Sequence, residues 1–352
     1  MSAKKATIKK EYEAIKLPKE HPPVRAGKIG VLLVNLGTPD ATDFWSIRRY
    51  LKEFLSDKRV IEVNRFLWSI ILNLFILTFR PSKTAKAYKK VWRDDNKSPL
   101  LHFSEQQANK LGQRIGNDQI IVDFAMRYGN PSIKSKIQAL KEKGCNRLLV
   151  VPLYPQYAAA TTATVCDEVF RVLMKMRWQP TLRVTHPYYD HPKFIEALEK
   201  SVKNHVKGLG WEPDKYLLSY HGIPQKYFDK GDPYHCTCYK TSRLLKEKME
   251  LKGEMIVTTF QSRFGPEEWL KPYTDEMIEE LPQKGVKNLV VLCPGFASDC
   301  IETLEEIGIE AKEDFIHAGG ENFSLVPCLN DSDESIEFFE EFVLENLQGW
   351  AT

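Results

Sequence analysis

The chain has 352 residues, about two domains' worth, and its 43% apolar content is that of an ordinary globular protein. A formal charge of +3 is too near neutral for an electrostatic nucleic-acid surface, so no nucleic-acid partner is expected. The seven cysteines are odd in number and scattered, which favours reduced thiols in a cytosolic setting over a disulfide frame.

Residues 1–26 are rich in Lys and Glu and lack an apolar core, so they read as a solvated tail rather than a signal peptide or membrane span. The first strand is Val31-Leu-Leu-Val-Asn-Leu36, closed by Gly37-Thr38-Pro39. Residues 66–79 form the one membrane-suggestive stretch. It is shorter than the roughly 20 apolar residues of a spanning helix, and Ser69 and Asn73 interrupt it. It reads first as a buried core helix and second as an apolar lip touching membrane and a hydrophobic substrate.

Short apolar runs then alternate with amphipathic helical stretches such as Ser132–Lys143 and Asp275–Gln283. The alternation predicts parallel sheets with helices on both faces. The chain also repeats itself in order. Leu36-Gly-Thr-Pro39 is echoed by His221-Gly-Ile-Pro224, and Phe124-Ala-Met-Arg127-Tyr-Gly129 by Phe260-Gln-Ser-Arg263-Phe-Gly265. Lys143-Gly144 leads to an apolar run ending at Pro152, as Lys284-Gly285 leads to one ending at Pro294. The expected fold is therefore α/β, with two similar Rossmann-like lobes at 27–185 and 186–352 and a cleft between them. Neither lobe carries a dinucleotide or phosphate-loop glycine pattern.

His221 stands at the exit of an apolar strand, where open α/β sheets place their chemistry. Cys236 and Cys238 lack a second close pair, so free thiols are preferred to a cluster. Beyond Pro294, a helix is expected to start near Asp299. Asp299, Glu302, Glu306 and Glu310 then fall within an arc of roughly 80°, with Glu305 off that face. One bland reading is a solvated acidic stripe. The sharper one joins these oxygens to His221 as a loose site for a divalent cation such as Fe²⁺, with His221 also able to accept protons.

The residues resemble the ferrochelatase family, whose members insert Fe²⁺ into a porphyrin in the last step of haem synthesis. The matching segments are 33–39, Tyr88 with Ser98-Pro99, 152–157, 219–224, 230–234, 260–270 and 294–307. The resemblance implies a chelatase-like fold and insertion into protoporphyrin IX with release of two protons. A coproporphyrin-specific enzyme or another tetrapyrrole chelatase is the alternative. It implies that His221 accepts pyrrole protons or ligates the metal, and that Glu302 faces it across the macrocycle. Asp299 and Glu306 would lie on the metal or proton path. Leu36 would be a lip residue, and Arg80, Tyr88 and Ser98 would hold the porphyrin edge, with Arg127 and Tyr128 at inner-pocket positions.

Some relatives have a [2Fe–2S] cysteine within the stretch that reads Tyr157-Ala-Ala-Ala160 here, and some have His where Cys300 stands. No cluster and no further cofactor are therefore expected, Fe²⁺ being a substrate. The lip at 66–79 gains weight from the resemblance, with peripheral membrane contact and an upstream haem-pathway enzyme as expected partners. The chain carries no Arg- and Ser-rich leader, and a cytoplasmic location, peripheral at the inner face of the membrane, is the matching expectation.

Overall fold

β1 (Lys28–Thr38) is buried along almost its whole length, the signature of a central strand in a parallel sheet covered on both faces. In this computed structural model, which describes residues 20–21 and 24–350, β1 lies between β2 (Ile120–Gly129) and β3 (Cys145–Pro152), and β4 (Thr181–Val184) completes the sheet. The strand order is 2-1-3-4, all parallel, with Leu33 opposite both Phe124 and Val151. Most of the tail expected at 1–26 lies outside the described residues.

The second sheet repeats this topology. β5 (Lys215–His221) lies between β6 (Ile256–Gln261) and β7 (Asn288–Leu292), with β8 (Asn322–Leu325) beyond. The sequence echoes therefore mark equivalent strands, β1 with β5, β2 with β6 and β3 with β7. In each sheet the chain leaves the first strand toward one side and later returns to the other. This creates a topological switch point beside the carboxyl ends of β1 and β3, and of β5 and β7. At the β1 end, Gly37 adopts φ +117°, and a Cβ there would sit 1.9 Å from the Tyr128 carbonyl oxygen, so only glycine fits.

The first lobe carries a helical insertion after β1. It comprises α1 (Phe44–Leu55), then α2 (Arg65–Ile71), a π-helical turn (Leu72–Ile76) and α3 (Leu77–Val91) in one run. α1 starts cleanly because the Asp43 carboxylate accepts from the Trp45 and Ser46 amides. The two readings of 66–79 divide between faces. Trp68, Leu72 and Leu77 pack against Ile47, Tyr50 and Leu51 of α1, while Phe66 (78% exposed), Leu74, Phe75 and Phe79 (72%) face outward.

The lobes are not separate cores. One hydrophobic cluster runs from Val31 and Leu33 to Leu218 and Val290. α4 (Pro99–Ile115) and α12 (Asp333–Asn346) pack on one another across the lobes, as the final helix in a set that includes α5 (Ile133–Glu142), α6 (Thr164–Leu173), α7 (Pro192–Lys207), α8 (Gln225–Asp229), α9 (Tyr234–Lys248), α10 (Thr274–Gln283) and α11 (Lys312–His317). Buried Gln107 on α4 donates to the Ala297 and Asn330 carbonyls of the second lobe. Residue 185 remains our proposed boundary, between β4 and β5.

Candidate active site

Between the lobes lies a cleft of about 670 Å³ with largely apolar walls, a size suited to a small-molecule ligand. β1 delivers Leu36 to it, and the β3 exit delivers Leu153 and Tyr154. β5 delivers His221, and the segment after β7 supplies Gly295 through Ser298 and then Cys300 through Glu302. Arg80, Thr84 and Tyr88 lie along another wall at one-turn spacing on α3. The walls thus converge from both switch points and from the inserted helices.

The His221 Nδ1 lies 2.7 Å from the Gly222 carbonyl oxygen. A carbonyl can only accept, so Nδ1 carries the hydrogen and Nε2 of the neutral ring keeps its lone pair. Trp269 sits beside the imidazole, ring centroids 6.4 Å apart, and also lines the cleft.

The acids stand on a π-helix, Glu302–Ala311. Sequence periodicity anticipates an ordinary α-helix starting near Asp299; the helix instead begins at Ile301 and winds as a π-helix from Glu302. The wider i→i+5 winding sets residues four apart closer to a common line, so the stripe consists of Glu302, Glu306 and Glu310. Glu302, Glu305 and Glu306 all line the cleft, although Glu305 is off the α-helical arc. The Glu306 carboxylate accepts from the Ser262 amide (2.8 Å), the Ser262 hydroxyl (2.5 Å) and Gln261 (3.3 Å). Burial pushes the Glu306 carboxyl up, as does Glu302; the Ser262 bonds and the nearby His221 pull it back. Glu306 thus lies within electrostatic reach of both His221 and Glu302.

Arg80 packs its guanidinium 4.5 Å from the Phe264 ring centroid, with burial lowering its pKa and Glu302 opposing that. Tyr88 and Tyr50 are buried beside Glu302, and burial, seconded by neighbouring charge, pushes both phenols well above their ordinary value. They remain neutral hydroxyls. Ser98 lines the cleft while its oxygen caps α4 by accepting from the Leu101 amide (3.2 Å).

Three expected site residues are placed elsewhere. Arg127 and Tyr128 do not line the cleft. The Arg127 guanidinium bonds Asp57 (2.5 Å) and Thr164, and the Tyr128 hydroxyl donates to the same Asp57 oxygen (2.9 Å). Adjacent on β2, the two side chains both reach Asp57 in the segment that follows α1. Asp299 is also absent from the cleft wall. Its carboxylate is saturated by Thr303, the Cys328 amide and Asn330 (2.9, 3.3 and 2.6 Å), so it braces the start of the acid helix. Sequence reading missed Tyr50, Glu305 and Trp269. Glu305 had a signal, an additional carboxylate within the acidic run. Tyr50 shares the apolar face of α1 and is indistinguishable there from core.

The sequence matches the ferrochelatase family over residues 28–347. It is 57% identical over 337 residues to "Ferrochelatase" of Allorhizobium ampelinum and 55% identical over 337 residues to that of Agrobacterium fabrum, covering 95% of this chain and 98% of each relative. "Ferrochelatase" of Rhizobium meliloti is 56% identical over 333 residues, covering 94% and 98%. Among solved structures, SirB from Bacillus subtilis with Fe³⁺ superposes with a TM-score of 0.54 at 15% identity, covering 91% of this chain and 96% of that one. DR2241 from Deinococcus radiodurans, a multi-domain protein similar to chelatases, gives 0.53 at 12% identity over 91% of this chain and 55% of that one. At such identities these two establish the two-lobed fold alone.

Proposed function

The chain belongs to the ferrochelatase family and carries its activity, insertion of Fe²⁺ into a porphyrin to yield haem, and from that premise we propose how this cleft divides the work. His221 takes the pyrrole protons through Nε2. Glu302 and Glu306 receive the dication on their side of the ring, as oxygen donors that hold Fe²⁺ without the grip of thiolates. The observation carrying this reading is the placement of a tautomer-fixed histidine and the half-buried, hydrogen-bonded Glu306 carboxylate in one apolar cleft. Rigid walls from both lobes can hold the macrocycle bent, which exposes nitrogen lone pairs at the expense of binding energy.

Arg80, with the Tyr88 and Ser98 hydroxyls, supplies the polar edge for propionates. Protoporphyrin IX is the proposed substrate over coproporphyrin, because the largely apolar cleft walls suit a macrocycle with few carboxylates, while Phe66, Leu74, Phe75 and Phe79 form an exposed apolar face outside the cleft. That face also supports peripheral membrane contact at the inner, cytoplasmic side and receipt of porphyrin from the preceding enzyme. Among the described residues no helix is long and apolar enough to cross a membrane.

We also propose that the cysteines stay free. Cys236 is exposed and Cys238 buried, with burial pushing its thiol well up, so the two do not converge on a common ligand.

Anaerobic incubation with protoporphyrin and Fe²⁺ or Zn²⁺, followed by porphyrin fluorescence, tests the reading. His221→Ala is expected to bind porphyrin and lose insertion by roughly 10²–10⁴-fold, the usual worth of a positioned base. Wild-type insertion by that variant refutes the role of His221, and equal turnover of coproporphyrin refutes the substrate choice.

A further inference from the structure

Beside the acid row, Lys90 of α3 reaches across the lobes and donates to Glu305 at 2.6 Å. The two partners differ sharply in setting. The Glu305 side chain is 9% exposed and forms part of the cleft wall, whereas the Lys90 side chain is 46% exposed and lies outside it. Glu310, on the solvent side, is coupled to the same pair: burial and then Glu305 raise its carboxyl, while Lys90 and Lys83 lower it. Three carboxylates, Glu305, Glu302 and Glu306, thus line the cleft within little more than one turn, and the one nearest Lys90 carries a lysine on a flexible stem.

We propose that Lys90 is a stand-in cation for Glu305, which an arriving divalent metal must displace, so that this pair sets the effective metal affinity of the enzyme. The inference rests on the reading of Glu302 and Glu306 as metal-receiving acids. An ammonium half in water on a flexible stem is screened by solvent and moves away readily. A dication offers twice the charge to the same oxygen. While Lys90 is seated, Glu305 is neutralised and the acid row attracts cations less. Without Lys90, Glu305 is an unpaired carboxylate on the same cleft wall as Glu302 and Glu306.

A purely mechanical bridge between the lobes makes a different prediction, which gives the test its sign. Initial rates of Zn²⁺ insertion are measured at saturating protoporphyrin and low ionic strength. Lys90→Gln is expected to lower the KM for Zn²⁺ roughly two- to fivefold, the equivalent of a surface-pair coupling. Glu305→Gln is expected to raise it by a similar factor. Lys90→Arg, whose planar fork holds a carboxylate more firmly, is expected to raise it too. The KM for protoporphyrin stays the same in Lys90→Gln and Lys90→Arg, since Lys90 lies outside the cleft wall. Metal KM values that rise together in Lys90→Gln and Glu305→Gln, that do not move, or that move only with the porphyrin KM overturn the proposal. Glu302→Gln separates the two levels. If it retains full turnover and metal KM, the underlying reading of the acids fails. If it loses turnover while the Lys90 and Glu305 variants shift alike, only the stand-in role of Lys90 fails. Melting curves confirm that each variant is folded.

Discussion

Replacing Asp57 by Asn isolates the network that holds Arg127 and Tyr128 away from the cleft. The Asp57 carboxylate accepts from Arg127, Tyr128, Thr164 and the Arg59 amide, and the Arg127 side chain is only 6% exposed. Those four donors hold the Asp57 carboxyl below its ordinary value against the opposing effect of burial. The amide leaves a buried guanidinium with no anion, a loss of about 3–5 kcal/mol for a broken buried pair. Unfolding entropy of about 2.1 cal/mol/K per residue amounts to about 0.7 kcal/mol/K for this 352-residue chain, so the melting temperature should fall by about 4–7 °C. Arg127→Met should cost less, because Asp57 keeps three of its donors. The double variant should cost less than the sum, since the surviving charge is then removed as well. Differential scanning fluorimetry reads the stability, and porphyrin fluorescence titration reads binding. If Arg127→Met leaves the melting temperature untouched but weakens porphyrin binding tenfold or more, Arg127 contacts substrate and the network account is wrong.

Two further outcomes follow from the cleft. Glu306 has a carboxyl raised above the usual range, and the metal-receiving form is the ionised one, so the KM for Zn²⁺ should fall as pH rises through the Glu306 titration; in Glu306→Gln this acid limb should disappear, and a limb that persists unchanged assigns it to another group. The sign for stability is opposite: because the folded value is raised, the contribution of Glu306 is present below its unfolded pKa and fades as pH climbs through the folded one. On the outward face, Phe66→Ser with Phe79→Ser removes two rings that are 78% and 72% exposed and should leave the melting temperature within about 1 °C while weakening co-sedimentation with phospholipid vesicles severalfold; unaltered vesicle binding refutes the membrane role of this face.

How much of this site is readable in the sequence depends on the range over which each residue is determined. His221 is legible because a strand exit followed by Gly and Pro is local, and the echo of 36–39 in 221–224 reports a topology that both sheets realise. The stretch 66–79 is half legible. Its apolar content is plain, but which side faces α1 depends on a π-turn at Leu72–Ile76 that shifts the phase of the run. Asp299 is misplaced because the helix begins only after it, at Ile301, and its carboxylate is taken up by Thr303, Asn330 and the Cys328 amide; Glu305 is reached by Lys90 from far along the chain. Arg127 and Tyr128 fail for another reason, since their partner Asp57 lies 70 and 71 positions away and nothing local marks it. Lys90 and Glu305 are 215 apart. His221 sits at a strand end that the local pattern marks, whereas the carboxylates we assign to the metal sit where a helix departs from its regular winding, as expected if local regularity yields at sites shaped by chemistry.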